Sequence, residues 1–161
     1  MTTRSSLCGM ARLAAVAATL AVLAATGIAA APAQAQTPEG RYAQQAFSAT
    51  NAQRTDEGLP ILAKNKCVRR AAVRQATRMA QREQMFHQDL GAVLASCHLS
   101  AAGENVAAGY PSGTSVVNNG WMNSEGHRAN ILSPSFTLLG IGARKGHDGR
   151  WYVAQVFGRK A

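Results

Sequence analysis

An export signal opens this chain, and what it leaves behind sets the scale of the fold. "MTTRSSLCGMAR" carries Arg4 and Arg12 and no acid, and Leu13 to Ala31 follows as an unbroken, Ala-rich apolar run. "APAQA" then places small residues at Ala33 and Ala35, the layout of a secretory signal cut before Gln36. The run is also just long enough for an uncleaved anchor, but its modest hydrophobicity and the Ala-Gln-Ala step favour cleavage. Removing 35 of the 161 residues leaves 126, the size of one domain around one core. Residues 36–41 then form a short polar leader.

Cys8 departs with the signal, and Cys67 and Cys97 remain. An even pair in an exported chain reads as a disulfide, worth about 3 kcal/mol for a loop of this length if loop entropy is the cause. Two buried free thiols are the alternative.

Net charge falls from +9 to +7 as the two signal arginines leave. The remaining charge is concentrated: Arg70, Arg74, Arg78 and Arg82 recur every fourth residue and form a stripe along one helix. Val68, Ala72, Ala76, Met79 and Phe86 fall on another side of that helix and face the core. The stripe is either a solvated face or a surface for an anionic wall polymer or phospholipid. Export and the lack of interleaved aromatics exclude nucleic acid as a partner.

Hydrophobic periodicity predicts a helix from about Arg41, with Gly58 after its end, and a long helix from about Lys64 to Phe86. Residues 87–105 show no period and read as loop. A third helix starts near Thr114 or Ser115 and buries Val117 and Trp121 at i, i+4. "TLLGIGAR" and "WYVAQVF" read as strands of a hairpin turned at Asp148-Gly149. Helices first and a hairpin last predict an α+β domain, helices packed on a small antiparallel sheet.

The densest chemistry lies in "GWMNSEGHRANIL", residues 120–132. His147 in the hairpin turn reads as solvated, and His98 carries no signal. His87, His127 and Glu104 match a three-ligand zinc set with an open position, or a pair of imidazoles oriented by a carboxylate. They stand 17 and 23 residues apart with no HExxH, so a structural hydrogen-bond network explains them equally well. Ser124 and His127 lack a nucleophile elbow, and Gly126 between them argues against a regular helix. Ser124 therefore reads as a cap, and Arg128 and Asn130 as fasteners.

Five blocks occur in order: Asn51-Ala-Gln-Arg54 with Gly58-Leu-Pro, Phe86-His87-x-Asp89, Gly103-Glu104-Asn105, Trp121 through Asn130-Ile-Leu, and Gly140-x-Gly142 with Gln155-Val-Phe157. Together they resemble the CAP superfamily (the SCP-like domain of cysteine-rich secretory proteins, antigen 5 and plant pathogenesis-related class 1 proteins), in its bacterial secreted branch, over residues 42–158. The resemblance implies an α-β-α sandwich with a surface cleft lined by two His and two acids. In some relatives those His bind zinc or another divalent ion. His87, Glu104 and His127 match that set. Ser124 stands where eukaryotic members place the second acid, with Glu125 out of register.

Export, the cysteine pair and one compact domain, together with the resemblance, predict a secreted, monomeric module that binds an extracellular lipid, anionic wall polymer or protein through the cleft or the basic face. It is not an integral membrane protein once the signal is cut. A divalent-metal hydrolase using His87, Glu104 and His127 is the alternative.

Overall fold

A computed structural model describes residues 35–161. The expected signal lies outside the described residues but for Ala35, and Cys8 lies outside with it.

Thr37 opens helix α1 (Pro38–Asp56) by accepting the Gly40 N–H on its hydroxyl, and Pro38 occupies a position whose N–H would be unpaired anyway. The expected leader is therefore partly helix. Tyr42, Ala46, Ala49, Thr50 and Arg54 recur along the buried side. After strand β1 (Ala63–Lys64), Asn65 caps helix α2 (Lys66–Arg82), its side-chain oxygen accepting the Cys67 and Val68 N–H at 2.9 and 3.1 Å. The helix expected to reach Phe86 ends sooner, because Glu83 turns to φ 51° and the Gln84 N–H bonds back to the Met79 carbonyl.

The stretch expected as loop is instead helix α3 (Leu90–Cys97) and strand β2 (Leu99–Ala108). Asp89 caps α3 through the Gly91 and Ala92 N–H groups. Strand β2 is poor in β-formers and owes its conformation to its pairing with the last strand. Next come α4 (Gly113–Ser115), one π turn (Val116–Gly120), one 3-10 turn (Trp121–Asn123) and α5 (Glu125–Leu132). The cap expected at Thr114 or Ser115 is Ser112, whose hydroxyl accepts the Ser115 N–H. Gly126 lies within α5 rather than at a bend. Strands β3 (Leu138–Lys145) and β4 (Trp151–Lys160) form the expected hairpin.

The strands lie in the order β1-β3-β4-β2, antiparallel except for the short parallel β1–β3 pair. Alternation along β4 divides the core in two. Tyr152, Ala154 and Val156 pack with α2 and α3, while Val153 and Phe157 pack with α1 and α5. This is an α-β-α sandwich. Cys67 and Cys97 form a disulfide that ties the start of α2 to the end of α3. No helix among the described residues is long and apolar enough to cross a membrane.

Two glycines set how closely α2 lies on the sheet. A Cβ on Gly140 would fall 2.3 Å from the Arg69 nitrogen, and one on Gly142 would fall 2.3 Å from the Ala72 carbonyl oxygen. Backbone meets backbone there, so no side chain can rotate away. Gly140→Ala and Gly142→Ala are each expected to lower stability in urea unfolding by about 3 kcal/mol or more. Gly126→Ala, with nothing within 4 Å of its Cβ, should be neutral or stabilising by up to about 1 kcal/mol.

Candidate functional site

The site is built around β2, an edge strand whose two faces do different work. Glu104 shares its face with Val106, toward α2 and α3, and Asn105 points the opposite way, toward α5. Glu104 is the buried member: its side chain is 1% exposed, against 60% for His87. Its Oε2 lies 2.8 Å from His87 Nδ1 and accepts the Gln88 N–H at 3.1 Å. Its Oε1 accepts Gln88 Nε2 at 2.6 Å. Both carboxylate oxygens are thus engaged, and an ionised Glu104 is compensated in the way that buried charge requires. With Nδ1 donating to Glu104, His87 presents Nε2 outward. Gln75, buried on α2, donates to the Phe86 carbonyl and holds the segment that delivers His87.

His127 arrives from α5. Asn105 Nδ2 donates to the His127 carbonyl at 3.0 Å and to Gln155 Oε1 at 2.8 Å. Gln155 Nε2 donates to the Thr50 hydroxyl at 2.7 Å, which donates in turn to the Ala46 carbonyl. Asn130 Nδ2 bonds to Asn105 Oδ1 at 2.9 Å and to the Glu104 carbonyl at 3.2 Å. Burial lowers the His127 pKa, and the nearby His87 imidazole lowers it further. Both effects disfavour the charged form of His127.

The other sequence-predicted residues fall mainly into support. Trp121 is buried and donates its indole N–H to the Val106 carbonyl at 3.2 Å. Arg54, 1% exposed, donates to the carbonyls of Pro60, Ile131 and Ser133, each at 2.8 Å, which closes the C-terminal end of α5. Asn51 pairs with both backbone groups of Leu62. Among the described residues Arg128 reaches only the exposed Glu57, at 3.0 Å, a surface pair worth little. Ser124 occupies the position before α5, but its side chain forms no cap. No hydrogen bond joins it to His127 among the described residues, so the geometry holds no Ser–His dyad.

Sequence reasoning assigned no role to Gln88, Gln75 or Thr50, whose contacts are legible only in three dimensions. Gln155 did carry a signal, as a lone polar residue inside the apolar run "WYVAQVF". Among the described residues, no three His, Cys, Asp or Glu side chains are grouped so as to hold a metal ion. The available donors are two imidazoles. Glu104 orients one of them rather than standing as a third ligand.

Fold and sequence blocks agree on one class of domain. Residues 47–157 match the cysteine-rich secretory protein family (CAP), and the chain belongs to it. It is 36% identical over 108 residues to the uncharacterized protein YkwD of Bacillus subtilis (strain 168), covering 63% of this chain and 42% of that one. A crystal structure of an extracellular SCP-domain protein from Bacillus anthracis str. Ames superposes with a TM-score of 0.67 at 33% identity, covering 80% of this chain and 45% of that one. A cysteine-rich secretory protein from Staphylococcus aureus shares the fold with a TM-score of 0.65 at 21% identity, over 76% and 40% of the two chains. The chain therefore spans less than half the length of these relatives.

An imidazole NMR titration is expected to return a His127 pKa below the ordinary value of about 6.5. His87→Ala should move it back upward in part, since the second of its two causes is then gone. A His127 pKa indifferent to that substitution would separate the two rings.

Proposed function

We propose that this chain is an exported CAP module that binds an anionic polymer of the cell envelope along the outer face of α2. One observation carries the reading. From Arg70 to Arg82 the helix holds four cations and no acid, and none of the four enters the ion pairs of the described residues. Arg70, Arg74, Arg78 and Arg82 are all exposed. A row of unneutralised guanidinium groups on one rigid helix raises the local concentration of a polyanion and offers bidentate donors to phosphate or carboxylate. The expected signal sequence and the extracellular relative support an extracellular location. The cleft around His87 and Glu104 serves in this reading as bracing for the edge of the sheet.

A second reading rests on the His87–Glu104 pair, which leaves one imidazole nitrogen open near His127. Two imidazoles would hold a divalent ion weakly. They fall one short of the three protein ligands of catalytic zinc sites, and Glu104, with both oxygens engaged, is not free to act as base. The residues present therefore do not fit a hydrolytic centre.

Binding of long-chain polyphosphate, used as the model polyanion, is expected to weaken roughly tenfold or more in Arg70→Glu with Arg74→Glu, and to weaken as salt rises. Unchanged binding by this double variant would remove the helix face from the assignment. For the cleft, calorimetry is expected to show no one-to-one micromolar uptake of Zn2+. Such uptake, lost in both His87→Ala and His127→Ala, would transfer the assignment to a metal site.

A further inference from the structure

The sheet has a second edge, at β3, and it is only partly covered. Its pairing with β1 stops at Lys64↔Leu139. The direction of the remaining backbone groups follows from two bonds. The Asn65 N–H reaches the Leu139 carbonyl on the outer side, and the Gly146 N–H reaches the Arg150 carbonyl across the hairpin. With a period of two, even-numbered residues of β3 bond to β4, and Leu139, Ile141 and Ala143 turn their N–H and C=O outward. Arg144 covers the Ala143 carbonyl at 3.2 Å. For Ile141, whose side chain is buried, no partner of either outward group is present among the described residues. Recessed backbone groups of this kind are nearly always satisfied by something.

What lies against them is a groove of about 510 Å³. Leu139, Gly140 and Ile141 line it together with Ala43 and Phe47 of α1 on one side and Lys66 and Arg69 of α2 on the other. No acidic residue lines it. Lys64 is occupied, bonded to Gln44 and placed over the Phe47 ring. Lys66 and Arg69 are exposed and form no side-chain hydrogen bond or ion pair among the described residues. The groove therefore continues the line of β1 past its end, with unpaired main-chain groups on its floor, apolar walls and free cations at its rim.

We propose that this groove is a peptide-binding slot, which takes an acidic segment in extended conformation as an added strand on the outer edge of β3. Main-chain bonds to the Ile141 N–H and C=O supply the register. Alternate side chains enter the apolar wall beside Phe47, and carboxylates pair with Lys66 and Arg69. Strand addition with pockets for alternate side chains is an established physical mode of peptide recognition. Lysines at an edge also deter unwanted pairing. That defence selects against basic and neutral strands and admits acidic ones. The site is separate from the α2 stripe: it uses the start of α2 and the sheet edge, whereas the polymer face runs from Arg70 to Arg82.

Because the recognition is through the main chain, a generic alternating peptide is the proper probe. Acetyl-Glu-Val-Glu-Val-Glu, its basic counterpart with Lys in place of Glu, and an acidic version N-methylated at alternate residues would each be titrated into the isotope-labelled protein. Amide shifts and hydrogen exchange at Ile141 provide the readout. The expected result is saturable binding of the acidic peptide, at least tenfold slower exchange at the Ile141 amide, and at least tenfold weaker binding of the other two. Lys66→Glu with Arg69→Glu should weaken the acidic peptide likewise, while Arg74→Glu with Arg78→Glu leaves it unchanged. Equal binding of the N-methylated peptide, no protection at Ile141, or no saturable binding overturns the proposal. Laurate occupying the groove while the acidic peptide does not would assign it to an apolar anion instead. Loss of polyphosphate binding in the Arg70, Arg74 variant bears only on the helix face, so the two assignments fail independently.

Discussion

The structure depends on one buried polar chain that crosses the sandwich from helix to helix. Thr50 of α1, Gln155 of β4, Asn105 of β2 and Asn130 of α5 are linked by hydrogen bonds of 2.7 to 2.9 Å. Thr50, Gln155 and Asn105 are fully buried, and every side-chain donor or acceptor buried among the described residues has a partner. A satisfied network of this kind adds about 1 kcal/mol per bond, but leaving one member unpaired costs about 1–3 kcal/mol. That asymmetry makes it specific. Only one register of β2 against β4 places Asn105 opposite Gln155, and a slip by one residue would turn Asn105 away from the helix it binds.

Both sides of the site follow from that register. Asn105 holds the His127 carbonyl on one face, and its neighbour Glu104 necessarily points to the other, where His87 and Gln88 close on it. The site is thus a consequence of strand alternation at the edge of a sheet. Asn130 secures it from outside by taking the Glu104 carbonyl that an edge strand would otherwise leave to solvent. The two edges are handled differently. β2 is closed over by side-chain amides, and β3 is left with a short partner strand and a groove.

The opposite face of the sheet is governed by distance rather than by polarity. Gly140 and Gly142 bring α2 into backbone contact with β3, so the inner side of α2 can be built from alanines and still pack without voids. A helix seated that closely turns its other side fully to solvent. The same arrangement that buries Ala71, Ala72, Ala76 and Ala80 therefore displays the arginine row.

The sequence by itself determined the elements whose signals are local. The 3.6-residue period of α2 separates its alanines from its arginines, and Asp148-Gly149 turns a hairpin of plain strand formers. The ordered motif blocks determined the family and the fold class. Tertiary structure alone decided β2: Leu99 to Ala108 contains Gly, Glu, Asn and four alanines, and it is extended because β4 pairs with it, not because its residues favour a strand. It also decided that Ser124 makes no cap, that Arg54 rather than Arg128 is the fastener that matters, and that His87 and Glu104 meet. These outcomes turn on which strand lies at an edge and which face a side chain takes there. Both are set by pairing between residues some 50 apart in the chain, as Asn105 and Gln155 are, and no local pattern records them.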